Sequence, residues 1–72
     1  MSLSFQQLNS RYPGALIHEG AQISEGCRID EGCEISAEAV IGSSTAICKN
    51  THIIGTVEIG RNVIVRENVT LV

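Results

Sequence analysis

The sequence predicts an all-β fold: a parallel β-helix with three short strands per coil, about three coils long, behind a short N-terminal cap. Two observations predict it. A large aliphatic residue returns at every sixth position, at Ile17, Ile23, Ile29, Ile35, Ile41, Ile47, Ile53, Ile59, Val65 and Leu71. Two residues before each stands a small or β-branched one: Ala15, Ala21, Cys27, Cys33, Ala39, Thr45, Thr51, Val57, Val63 and Val69. Phe5 and Tyr12 are the only aromatics, so no bulky centre is available to a chain this small. Apolar residues spread evenly along the chain suit a one-dimensional stack, in which each repeat touches only its neighbours.

Taken in order, residues 1–14 form the cap segment and residues 15–72 the repeat. Ser4 followed by Gln7 has the form of a capping box, and Phe5, Leu8 and Tyr12 line one face of a short helix. Pro13-Gly14 ends it. From Ala15 each hexad alternates inward, outward and inward at its first three positions, the pattern of a three-residue strand. Positions 4 to 6 are polar turns such as His18-Glu19-Gly20 and Ser24-Glu25-Gly26. Position 6 holds Gly20, Gly26, Gly32, Asn50, Asn62 and Asn68, residues that tolerate a left-handed backbone. A short strand and a turn of about 120°, repeated, wind a triangular prism whose coils stack at about 4.8 Å.

Composition narrows the function. Five Lys and Arg against eight Asp and Glu give a net charge of −3, which argues against nucleic acid as a partner. No apolar run reaches the length of a membrane span, and the N-terminus lacks the basic and apolar regions of a signal peptide. Three cysteines, an odd number, fit a reducing cytoplasm better than a disulfide framework. Cys27 and Cys33 sit in the small inward column and act as small hydrophobes, while Cys48 falls at a turn. Thr45 and Thr51 also point inward, which removes the outward threonine ladder of an ice-binding surface.

Ile41-Gly42-Ser43-Ser44-Thr45 and Ile59-Gly60-Arg61-Asn62-Val63 resemble the unit of the hexapeptide-repeat family in full, and the other hexads keep its aliphatic anchor. The resemblance covers nearly everything after Gly14. It implies a left-handed parallel β-helix, an exception to the usual right-handed crossover. It further implies an acyltransferase-like protein that moves an acetyl or acyl group from a CoA thioester to a hydroxyl or amine. Acetyl-CoA is then the donor, the assembly a homotrimer, and the site a cleft between neighbouring prisms. The stretch from Thr56 to Leu71 is similar to the later coils of serine and sugar O-acetyltransferases.

In such enzymes a histidine takes the proton of the attacking group, since its pKa lies near working pH. The chain has two. His52 is the candidate base, at the outward mid-strand position of its hexad. Counting eighteen residues each way stacks it between Glu34 and Thr70, which become the candidate substrate contacts, with Glu34 also placed to orient the ring. His18 lies at the first turn beside Glu19, near the capped end. No metal is expected: the two histidines fall on different elements, and the close His pair of the carbonic-anhydrase members is absent.

Three departures from the family favour the other reading, a trimeric structural or assembly module or a remnant of a longer transferase. The repeat carries no acceptor-binding loop, and the CoA-binding Gly-Gly-Thr that follows Val-Thr-Leu in serine enzymes is missing after Val72. Aligned on Ile-Gly-x-Asn-Val, the serine enzymes' histidine falls on Ile47. Apolar residues at outward positions, Val40, Ala46, Ile54 and Ile64, suit a lateral trimer contact. Val69, Leu71 and Val72 leave the last coil uncapped, to be covered end to end by another prism or by a different partner.

Overall fold

The computed structural model describes residues 4–72; Met1 to Leu3, part of the expected cap, lie outside the described residues. Its first element is a helix, α1 (Phe5–Arg11), and Ser4 starts it as the sequence predicts. Ser4 Oγ accepts from the Gln7 amide at 3.3 Å, and Gln7 Oε1 accepts from the Ser4 amide at 2.9 Å. This reciprocal pair satisfies two donors that a helix start otherwise leaves free. Leu8 and Tyr12 are buried over the first coil, and the Tyr12 hydroxyl donates to the Cys27 carbonyl at 2.7 Å. Phe5 departs from expectation: it is 37% exposed. Two turns of helix aim Leu8 at the centre of the prism and leave Phe5 at its rim.

Ten strands follow: β1 (Leu16–Ile17), β2 (Gln22–Ile23), β3 (Arg28–Ile29), β4 (Glu34–Ile35), β5 (Val40–Ile41), β6 (Ala46–Ile47), β7 (His52–Ile53), β8 (Glu58–Ile59), β9 (Ile64–Val65) and β10 (Thr70–Leu71). Each pairs in parallel with the strand three elements on. The walls are β1-β4-β7-β10, β2-β5-β8 and β3-β6-β9, giving a parallel β-solenoid of about three turns. Partners are eighteen residues apart throughout, as in Leu16↔Glu34↔His52↔Thr70. Among the described residues no helix is long and apolar enough to cross a membrane.

The strands are two residues long rather than three. Position 1 already belongs to the corner. It joins the ladder through its carbonyl alone, as where the Leu16 amide donates to Cys33 O at 2.8 Å and the Gln22 amide to Ala39 O at 2.9 Å. The position-4 amide closes the far side of each wall, with His18 donating to Ile35 O at 3.0 Å.

Position 3 fills the interior. Ile23, Ile35, Ile41, Ile47 and Ile53 are shut off from solvent, each worth about 1.5–3 kcal/mol of burial. Position 1 lines the corners, and its polar members share one device. Cys27, Cys33, Thr45 and Thr51 donate to the carbonyls of Gly42, Cys48, Gly60 and Arg66, at 3.0, 2.9, 2.8 and 2.7 Å. Each acceptor lies fifteen residues ahead, so these bonds tie one coil to the next, and among the described residues no buried side-chain nitrogen or oxygen lacks a partner.

The corners turn through left-handed residues: Gly20, Gly26, Gly32, Asn50, Asn62 and Asn68 as the pattern predicts, and also Ser44 and Gly55. The amides of Gly32, Asn50, Asn62 and Asn68 reach back to the preceding coil, with Asn50 donating to Glu31 O at 3.3 Å and Asn68 to Lys49 O at 3.0 Å.

Candidate functional site

Burying position 3 forces position 2 outward, so each wall displays one residue per coil. On β1-β4-β7-β10 these are Leu16, Glu34, His52 and Thr70. Position 4 adds His18 beside β1, Ser36 beside β4 and Ile54 beside β7. Both histidines of the chain therefore occupy one face, with Glu34 between them. Glu34 and His52 are half-buried, Thr70 is exposed, and Leu16 and Ile54 are 58% and 48% exposed aliphatics on the same surface.

The register places Glu34 directly between Leu16 and His52, as counting by eighteen predicts. Its side chain, however, reaches the diagonal neighbour. Glu34 Oε2 lies 3.1 Å from His18 Nε2, and both side chains remain open to solvent, at 42% and 47%. Diagonal partners on a sheet face lie within reach of long side chains. Same-column counting looks past this pair, because His18 and Glu34 are sixteen residues apart. Counting the column two places over is the signal that finds it.

Ser36 occupies the same face but turns away, its hydroxyl donating to the Gly55 carbonyl at 2.6 Å. Thr70, on β10, is the outermost strand residue of the column, in register with His52. The wall thus gathers His18, Glu34, His52 and Thr70, and the ion-pair partner within it is His18.

The other walls offer less chemistry. On β3-β6-β9, Arg28 Nε donates to Asp30 Oδ1 at 3.0 Å, and the aspartate raises the guanidinium's pKa through that bond and its charge. Cys48 is half-buried at the turn after β6. Cys33 is buried, and burial pushes its thiol up; the backbone amide of Thr51 opposes this in part. An inward thiol of this kind is a poor nucleophile. Among the described residues no three His, Cys, Asp or Glu side chains come together as a metal-ligand set. An apolar depression of about 520 Å³ lies over Ile59, Val63, Val65, Val69 and Leu71 and contains neither histidine.

The arrangement offers imidazole, carboxylate and hydroxyl groups side by side on an accessible face, the parts needed to move a proton to and from an attacking group.

A family model described as Bacterial transferase hexapeptide (six repeats) matches residues 38–72. Neither a curated protein nor a solved structure matches the chain.

Proposed function

We propose, from the hexapeptide-repeat match over residues 38–72 and the parallel β-solenoid it falls in, that the chain transfers an acetyl or acyl group from a CoA thioester to a hydroxyl or amine. One observation carries the reading: both imidazoles of the chain and the carboxylate between them share the outer face of β1-β4-β7-β10. A proton acceptor on an accessible wall is what activation of a hydroxyl or amine requires. The base is one of the two imidazoles of this wall; the column singles out His52, with Glu34 and Thr70 beside it as acceptor contacts. Acetyl-CoA is the proposed donor.

The working unit is a homotrimer in the cytoplasm, in which this wall faces a neighbouring prism across a cleft. The exposed aliphatics Leu16 and Ile54, on the same face as the histidines, support that placement. Apolar surface beside a polar group is the usual composition of a contact that also lines a ligand site.

The test is binding and transfer with acetyl-CoA at about millimolar concentration, comparing wild type with a variant whose wall has no imidazole, His18→Gln/His52→Gln. Wild type is expected to bind and turn over the thioester with hydroxylamine as a surrogate acceptor. The double variant should lose about 10²-fold or more in rate while keeping its fold. Failure of the wild type to bind CoA, or a stable monomer in sedimentation, counts against the proposal.

A further inference from the structure

The carboxylate of the first wall holds one of the two imidazoles, and it is the one nearer the cap. As a carboxylate, Glu34 accepts hydrogen bonds and donates none. The 3.1 Å contact with His18 is therefore a bond in which His18 Nε2–H donates to Glu34 Oε2. That bond fixes the neutral ring: Nε2 carries the hydrogen, and Nδ1 keeps the lone pair.

Position adds to orientation. His18 stands at the turn after β1 with its side chain 47% exposed, so an acceptor group can approach the ring. The carboxylate stays bound when the ring gains a proton, and it then stabilises the imidazolium. The charged or titratable groups around the pair are Glu19, next in the chain, and His52, across Glu34 in the neighbouring coil. Glu34, directed at His18, does not orient the His52 ring.

We propose that His18 is the base of this wall and Glu34 its positioning residue, with His52 left as a contact to the acceptor. This rests on the acyl-transfer reading and sharpens it. In the step, the acceptor oxygen or nitrogen attacks the thioester carbonyl carbon while its proton passes to His18 Nδ1. The new C–O or C–N bond forms, the C–S bond breaks, and the departing CoA thiolate takes the proton from the imidazolium. Donor, acceptor and proton all balance without a further reactant.

Two readouts test the assignment on the full chain. In the transfer assay with acetyl-CoA and hydroxylamine, His18→Gln should lose about 10²-fold or more in rate. Glu34→Ala should lose less, and His52→Gln should show its loss as a higher KM for hydroxylamine rather than a lower kcat. In ¹⁵N spectra of the imidazole nitrogens near neutral pH, His18 should show a bound hydrogen on Nε2 and a bare Nδ1. Glu34→Ala, which removes the acceptor, should abolish that preference and leave His52 unchanged. All three side chains face outward, so the core survives each substitution.

Retained transfer in His18→Gln together with its loss in His52→Gln overturns the assignment but leaves acyl transfer standing. A His18 ring indifferent to Glu34→Ala overturns it as well. A wild type that neither binds CoA nor transfers overturns the acyl-transfer reading, and the base goes with it.

Discussion

Thr51 and Cys33 each give a hydrogen to a carbonyl of the next coil, and that shared behaviour shows where residue-scale prediction stops. Their inward direction is readable from the sixfold column. The bonds are not, because a carbonyl fifteen residues ahead becomes a neighbour only when the coil has closed. The His18–Glu34 pair escapes same-column counting for a different reason, its diagonal spacing of sixteen residues. One prediction belongs at this scale. Burial holds the Cys33 thiol above its ordinary pKa of 9.0, and burial together with the nearby Cys27 holds the Tyr12 phenol above its ordinary 10.0. The folded chain keeps both protons to higher pH than the unfolded chain does. Their contribution to stability is therefore whole below about pH 9 and declines as pH rises through the folded-state values. Urea midpoints measured from about pH 7 to about pH 10.5 should fall at the alkaline end. Cys33→Ser, whose hydroxyl still donates but does not titrate there, should flatten part of that fall.

At the scale of elements, the sequence located every strand, since each wall needs one aliphatic residue inside and one residue outside. It overstated strand length by one residue, because alternation continues into the corner while pairing does not. Turns were legible where Gly or Asn marked them and illegible at Ser44, a left-handed serine at φ 58°. There the geometry of the coil, repeated at the corners above and below, overrides the residue's own preference. Two glycines of one column offer a controlled comparison. A Cβ on Gly42 would stand 2.7 Å from the Gly60 carbonyl carbon and 2.8 Å from the Arg61 amide nitrogen, whereas one on Gly60 would meet nothing within 4 Å. Gly42→Ala should cost about 1–3 kcal/mol, since backbone rather than a flexible side chain must move. Gly60→Ala should fall within about 0.5 kcal/mol of wild type. Equal effects in chemical denaturation would show that the coils do not approach each other as closely as this column requires.

The whole molecule is a stack, about 25 × 22 × 20 Å, whose cohesion passes from coil to coil. No contact spans more than neighbouring turns of a solenoid, so stability grows by adding interfaces. Duplicating residues 39–56, one coil in length, keeps every column in register and inserts one further interface, in which this coil stacks on its own copy. The duplicated chain should show a higher urea midpoint and a steeper transition than the natural one. An unchanged or lower midpoint would sink the nearest-neighbour account. The fold is thus legible in the sequence at the largest scale, where a single period specifies it. The candidate site is legible only in part, since the period places Glu34 under His52 while side-chain reach carries its carboxylate to His18.

The sixfold column has a consequence for how the chain tolerates change. In most proteins the sites that resist substitution are scattered along the sequence, because contacts join distant segments irregularly. Here every buried address of the repeat recurs at the same interval, so a map of tolerated substitutions from Ala15 on would be a comb. Its teeth stand at the first and third places of each hexad, tallest from Ala21 to Ile53. They shorten toward Val57, Val63, Val69 and Leu71, which are only half covered. The gaps between the teeth are where such a chain is free to vary, and His18, Glu34 and His52 all stand in them.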